Sequence, residues 1–287
     1  MTRILKGKQV ADAINQKSIA SNERLRQHNI TPTLAIFRVG ENEADISYEK
    51  SAIKKCNEVG VEVIVNTFDL NVSEKEFYKK LDEANNDNSI HGILVFRPLP
   101  KQFNDNHLRN YINPDKDIDG CSNDSLAGIF INQRIGFVPC TSQSAIEILD
   151  YYGIDIQGKN VVVIGRSLVI GKPVSMLLLN RNATVTICHS KTKDIANIAS
   201  KADILITAIG KSEMIDRSYT NEKQTIIDIG ISWNEKKQKI FGDVDYDDVV
   251  DYVDAITPVP KGVGAVTSAV LANHVIQAAL RINNIQD

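Results

Sequence analysis

The chain lacks most of the features that place a sequence quickly. Its 287 residues hold four cysteines, Cys56, Cys121, Cys140 and Cys188, far apart and with no C-x-x-C pair. That pattern excludes a disulfide scaffold and the usual zinc spacings, and it points to reduced thiols in a cytoplasmic protein. No run approaches the ~20 apolar residues that span a bilayer, and the opening M-T-R-I-L-K-G-K-Q-V-A has no apolar signal core. No membrane is expected. The net charge of −3 gives no basic excess for nucleic acid. Internal repeats and low-complexity segments are also missing. What remains is 43% hydrophobic and 24% charged, ordinary for a globular chain long enough for two domains.

One stretch organises the rest. Asn160–Pro173, N-V-V-V-I-G-R-S-L-V-I-G-K-P, reads as a buried strand, a tight turn and the start of a helix. Gly165 supplies backbone freedom and Gly171 a close helix–strand approach. A helix N-terminus there offers free N–H groups to a phosphate. The turn is not the G-x-G-x-x-G form, because Ser167 stands where the second glycine would be. The following strand, Ala183–Cys188, ends in His189-Ser190-Lys191-Thr192, without the carboxylate that grips a ribose in NAD sites. Arg166, Ser190 and Lys191 instead suit a 2′-phosphate, which favours NADP over NAD. The competing reading is an ordinary strand-to-helix turn followed by a polar loop.

Before this stretch, the chain alternates helix and strand. Helices are expected over residues 7–28, 45–59 and from Ser73, with Glu76 placed for a capping box. Strands are expected over 33–39, 61–69 and 92–96. This predicts an α/β protein with parallel sheets, whose ligands bind at the carboxyl ends of strands. Phe96–Pro100 and Gly40–Tyr48 are then site walls. Asn113–Gly120 is rich in carboxylates but lacks the spacing of a calcium loop, and no other metal pattern is present. A helix over 141–152 bridges two domains, and a second domain continues through strands 160–164, 183–188, 203–208 and 225–230. The Pro/Gly-dense loop 256–264 precedes a last helix starting near Thr267, which packs back on the first domain.

Several separate motifs stand in one order: I-L-x-G-K, S-Y-x-K-S, K-K-C-x-E-V-G, G-I-L-V-x-x-P-L-P, N-P-D-K-D-I-D-G, F-V-P-C-T, V-V-V-I-G-R-S-x-V-I-G-K-P and I-T-P-V-P-x-G-V-G. On these the chain resembles the bifunctional methylenetetrahydrofolate dehydrogenase/methenyltetrahydrofolate cyclohydrolase family over essentially its whole length. The resemblance implies two α/β domains flanking a cleft. Residues 1–140 with 267–287 would form a folate-side catalytic domain, and residues 141–266 a Rossmann-type NADP domain. It implies oxidation of 5,10-methylenetetrahydrofolate by NADP⁺, then hydrolysis of the methenyl product to 10-formyltetrahydrofolate, in one-carbon metabolism and purine biosynthesis. A cytoplasmic homodimer is implied too. Tyr48 and Asp119 match the family's catalytic tyrosine and pterin-binding aspartate. Gly165, Arg166, Ser167, Ser190 and Ile231 match its NADP contacts. Phe96, Pro98, Lys261 and Gly262 fall on substrate-binding positions, and Thr257, Pro258 and Gly264 on the closing loop.

The departures lie on the folate side. The family's catalytic lysine, four residues after the tyrosine, is Ala52 here, and its glutamine partner is Phe96. Lys50, Lys54 and Lys55 are near in sequence, but none shares the face of Tyr48 and Ala52 well; Lys55 is the nearest. Arg97 is a poor proton carrier because guanidinium stays protonated. Ser142, Gln143 and Ser144 follow P-C-T, Lys261 and Ala265 replace glycine and proline, and Ser125 and Ala127 replace asparagine and glycine. Hydride transfer needs positioning above all, whereas hydrolysis needs protons moved. The expectation is a dehydrogenase whose cyclohydrolase step is weak or absent. Two alternatives stay open at this point: a paralogue that binds NADP without folate turnover, and a bifunctional enzyme using a displaced lysine.

Overall fold

The computed structural model describes residues 1–234 and 238–286. In chain order its elements begin β1 (Arg3–Ile4), α1 (Gly7–Gln27), β2 (Thr33–Val39), α2 (Glu43–Glu58), β3 (Glu62–Phe68), α3 (Glu74–Asn86) and β4 (Gly92–Val95). They continue through α4 (Asp105–Tyr111), α5 (Asn123–Phe130), α6 (Cys140–Tyr151), β5 (Asn160–Ile164), α7 (Gly171–Asn180), β6 (Thr184–Cys188), α8 (Ile195–Ala199) and β7 (Ile204–Thr207). Last come β8 (Thr225–Asp228), β9 (Ser232–Asn234), β10 (Lys239–Phe241), α9 (Tyr246–Val249), β11 (Ala255–Ile256) and α10 (Val263–Ile282).

Contacts divide the chain into two units: Met1–Ala11 with Thr141–Thr267, here unit 1, and Asp12–Cys140 with Ser268–Asp287, here unit 2. The first eleven residues group with unit 1 and not with the rest of the expected 1–140 domain, because β1 pairs with β11 there. Unit 1 carries a six-stranded sheet in the order β1-β11-β8-β7-β5-β6, all neighbours parallel. The strand order reverses direction at β5, since β6 lies on one side of it and β7 on the other. The central strands are buried, apart from the exposed first residue of β5, Asn160, as parallel strands covered on both faces must be. A two-stranded antiparallel ribbon, β9 and β10, is separate from it.

Unit 2 carries a parallel sheet in the order β3-β2-β4. Side-chain caps set its helix starts. Asn42 Oδ1 accepts from the Ala44 and Asp45 amides at α2, and Ser73 Oγ accepts from the Glu76 amide, 3.2 Å away, at α3. Phe77 and Leu81 of α3 are fully buried with Phe37 of β2 in the core of this unit.

Two expectations change. The last helix begins at Val263, not near Thr267, and takes Gly264 into its first turn. With 20 residues it is also long and apolar enough to cross a membrane, which the reading of the sequence did not foresee. Most of it is buried inside the fold, Leu271, Val275 and Ile276 among its inward side chains, so it is a core helix.

Candidate functional site

In unit 2 the site forms at the carboxyl ends of β2 and β4. Glu49, Ala52 and Cys56 are the buried residues of α2, three and four positions apart, so they share its inner face. Tyr48 stands at the edge of that face. Its ring meets Phe96 edge-on, centroids 5.8 Å apart and planes at 90°. Phe96 is fixed by its amide, which donates to the Phe37 carbonyl at 3.0 Å. It is 8% exposed, and Ala52 is completely buried. Pro98, two residues on and joined to Arg97 by a cis peptide, is exposed.

Asp119 completes this group. One carboxylate oxygen accepts from the Cys140 amide at 3.3 Å. Burial pushes its pKa up, while the Cys140 thiol and then Arg97 pull it down. Burial, then the nearby Asp119, Cys140 and Cys56, raise the Tyr48 hydroxyl well above its ordinary value, so the phenol keeps its proton. The peptide just before Asp119 is held by two donors. The Ile118 carbonyl accepts from Cys140 Sγ at 3.2 Å and lies 2.8 Å from His274 Nδ1. Burial lowers the His274 pKa to about 4, so the ring is neutral at pH 7 and donates through Nδ1–H. The reading of the sequence missed His274; a lone histidine in an apolar helix carries no local signal.

Of the other acids of Asn113–Gly120, Asp115 is exposed and Asp117 is engaged within the fold. Asp117 accepts from the Cys121 and Ser122 amides and the Ser125 hydroxyl, at 3.0, 2.7 and 2.7 Å. Lys116, 3% exposed, donates to the Ala84 and Asp87 carbonyls. Ser125 is therefore a structural partner of Asp117. Among the lysines of α2, Lys55 pairs with Glu58 at 2.6 Å. Lys50 and Lys54 line a surface depression with Ile53, Asn57 and Glu58.

Unit 1 presents a cradle made by missing side chains. Gly165 has φ +129°, and a Cβ there would overlap the Ala208 carbonyl. A Cβ on Gly171 would overlap the Gly165 carbonyl. Ser167 Oγ accepts from the Ile170 amide at 3.1 Å, capping the turn into α7. The register Ile164↔Cys188, with the Gly165 amide donating to the Cys188 carbonyl at 2.9 Å, brings the ends of β5 and β6 side by side. Arg166, Ser190 and Lys191 follow those ends and are exposed. A backbone cradle at a helix start, flanked by a guanidinium, an ammonium and a hydroxyl, fits a dinucleotide bearing an extra phosphate. Ile231 is exposed beyond β8, and its Cδ1 lies 3.7 Å from where a Cβ of Gly264 would be. Lys261, at φ +83°, and Gly262 also belong to unit 1, where the Lys261 carbonyl accepts from the Gly7 amide at 2.9 Å. The structure thus gathers Tyr48, Phe96 and Asp119 in one unit, and Gly165, Arg166, Ser167 and Ser190 in the other.

Comparisons with known proteins agree across the chain. Residues 5–119 match the catalytic domain of tetrahydrofolate dehydrogenase/cyclohydrolase, and residues 139–283 its NAD(P)-binding domain. The bifunctional protein FolD of Clostridium botulinum is 47% identical over 281 residues, covering 98% of this chain and 99% of its own. The crystal structure of the bifunctional enzyme FolD from Campylobacter jejuni superposes with a TM-score of 0.95 at 34% identity, covering 98% of this chain and 99% of that one. The Trypanosoma brucei methylenetetrahydrofolate dehydrogenase-cyclohydrolase, complexed with NADP cofactor and an inhibitor, gives 0.91 at 28% identity, covering 98% of each chain.

Proposed function

The chain belongs to the tetrahydrofolate dehydrogenase/cyclohydrolase family, and from that premise we propose that it oxidises 5,10-methylenetetrahydrofolate with NADP⁺ while its hydrolysis of the methenyl product is weak or absent. Unit 1 is the NADP side and unit 2 the folate side of this reading. Bound NADP⁺ supplies the hydride acceptor. The bare backbone of Gly165 and Gly171 lets its diphosphate approach the start of α7. Ser167 keeps a hydroxyl hydrogen that would be donated to a phosphate oxygen, and Arg166 and Ser190 would hold the 2′-phosphate. On the folate side, Asp119 accepts the paired N–H groups of an aminopyrimidine ring. Tyr48, kept protonated by its surroundings, offers a hydrogen-bond donor and a ring edge.

The observation that carries the reading is the pairing of Ala52 and Phe96. The position that would hold a proton-carrying lysine is a buried methyl group, and the position of its partner is a phenyl ring packed on Tyr48. Losing a general acid–base typically costs 10²–10⁴-fold in the step that needs it. Hydride transfer needs only that the donor carbon face the acceptor ring at attack distance. A displaced lysine gains no support, since Lys55 is tied to Glu58 and Lys50 and Lys54 line a surface depression.

Two assays test this. NADP⁺ reduction by methylenetetrahydrofolate is followed by the absorbance of the reduced nicotinamide, and decay of isolated methenyltetrahydrofolate is measured with and without the protein. Turnover in the first and a near-spontaneous rate in the second are expected. Rapid enzymatic hydrolysis would overturn the second half of the reading, and no NADP⁺ reduction would overturn the first.

A further inference from the structure

Two buried carboxylates at the carboxyl end of the unit 1 sheet have no part in the reading above, yet the backbone is built around them. Asp228 ends β8 and is 3% exposed; Asp243 is completely buried. Asp228 Oδ1 accepts from the Thr207 hydroxyl at 2.8 Å and from the Gly230 and Asp243 amides at 3.1 Å each. Its Oδ2 accepts from the Val244 amide at 3.0 Å. Asp243 accepts from the Ile209 amide at 2.6 Å and the Lys211 amide at 2.8 Å. The packing is reciprocal. A Cβ on Gly242 would overlap Asp228 Oδ2, and a Cβ on Gly230 would overlap the Asp243 carboxylate. Each acid rests on a glycine next to, or two residues from, the other acid.

The pair ties together several segments at this end of the sheet. Ile209 and Lys211 lie in the turn after β7, whose Ala208 carbonyl lies directly against Gly165. Gly230 precedes Ile231 in the turn after β8. The Asp228 amide donates to Thr257 Oγ1 at 2.8 Å, tying in the loop that leads to Lys261 and Gly262. Strand order fixes which half of a dinucleotide lies here. The adenosine ribose of a Rossmann site falls at the end of the strand after the glycine turn, here β6, so the other half lies across β7 and β8.

We propose that Asp228, locked by Asp243, is a positioning residue that sets the nicotinamide half of the NADP site for hydride transfer. The inference rests on the NADP reading above. Buried carboxylates that accept several backbone N–H bonds fix loops more tightly than neutral bonds do, because charge-assisted bonds are shorter and stronger. An error of an ångström in the placement of a reacting ring can cost about 10²-fold in rate even when it arises away from the chemistry. Burial and the adjacent Asp243 raise the Asp228 pKa to about 6, and among the described residues Asp243 is the charged side chain that acts on it. The lock therefore loosens on the acid side of neutrality.

Asp228→Asn tests it at nearly unchanged size: with its oxygen in place of Oδ1, its NH2 group faces the Val244 amide, donor against donor, and the charge is gone. Adenosine 2′,5′-bisphosphate probes the adenosine half alone. The variant should bind this probe within about twofold of wild type, lose the extra affinity that NADP⁺ has over it, and lose roughly tenfold or more in kcat. Because Asp228→Asn risks misfolding, Thr207→Val is the second variant. It removes one donor to Oδ1, and the acid limb of its kcat profile should move to higher pH, since the carboxylate has lost a bond that favoured its charged form. Normal kcat in Asp228→Asn, probe and NADP⁺ affinities falling together in that variant, or an unmoved acid limb in Thr207→Val overturns the lock. Wild-type protein that binds neither the probe nor NADP⁺ overturns the NADP reading itself.

Discussion

Unit 1 and unit 2 both place a site at the carboxyl end of a parallel sheet, but they build it by opposite means. In unit 1 the site is backbone: Gly165 and Gly171 clear a space, and buried Asp228 and Asp243 hold the surrounding loops by their amides. In unit 2 the site is side chain: Tyr48, Phe96 and Asp119 make its walls. The difference bears on how each can change. A site built of amides and glycines survives only while the fold around it survives. A side-chain site can exchange lysine for alanine and glutamine for phenylalanine and leave the helix and strand that carried them intact. The change proposed for this chain, at Ala52 and Phe96, is of that kind.

The largest effect should come from filling the unit 1 cradle. Gly171→Ala and Gly165→Ala put a methyl group into a carbonyl, the second at a strained φ as well, and should cost about 3 kcal/mol or more. Urea unfolding and NADP⁺ titration read the two consequences. A variant with normal stability and binding would break the contrast between the units.

The next prediction sets the units against each other in pH. Burial holds His274 of unit 2 at about 4, below its ordinary 6.5. The neutral ring's contribution is fully present above pH 6.5 and is lost as pH falls toward 4. Asp228 of unit 1 stands at about 6, above its ordinary 3.8. Its charged form weighs on the fold above pH 6, and that burden lifts as pH falls toward 4. Each is worth about 3 kcal/mol at most, at 1.36 kcal/mol per pKa unit. His274→Gln should flatten the loss of stability between about pH 7 and pH 5, and Asp228→Asn should steepen it. Unfolding midpoints that move in parallel for the two variants would remove the opposition.

A smaller gain is expected from rebuilding the unit 2 site. Ala52→Lys with Phe96→Gln should raise methenyltetrahydrofolate hydrolysis by roughly tenfold or more, at the lower end of what a general acid–base contributes. The dehydrogenase rate should stay within a few-fold. Unchanged hydrolysis in a well-folded double variant would show that the side-chain exchange is not what separates the two activities. The smallest effect belongs to Lys55→Met, which breaks a surface-facing pair with Glu58 and should shift stability by about 0.5 kcal/mol or less with both activities unchanged. A marked fall in hydrolysis would make Lys55 the displaced proton carrier.

Much of this was legible beforehand. The strand-turn-helix of 160–173 lies where its β-branched run and two glycines put it, because a parallel strand buried on both faces leaves its mark as an unbroken apolar run. The caps at Ser73 and the strand at 33–39 follow for equally local reasons. The last helix starts earlier than its pattern implied, since a glycine in the first turn does not stop a helix whose other side chains are buried. His274, Asp228 and Asp243 gave no signal. Apart from the Thr207 hydroxyl, the partners that matter here are the Ile118 carbonyl and the amides at 209, 211, 230, 243 and 244, and backbone groups leave no trace in composition or spacing.

Sequence by itself determined the main helices and strands, the glycine cradle and the family, because each is written in residue type at short range. Tertiary structure alone decided that Phe96 packs edge-on against Tyr48, that His274 steadies the peptide before Asp119, and that two acids share the unit 1 rim. Those contacts join residues tens to more than a hundred positions apart or depend on backbone groups common to every residue, and only folding brings them within hydrogen-bonding reach.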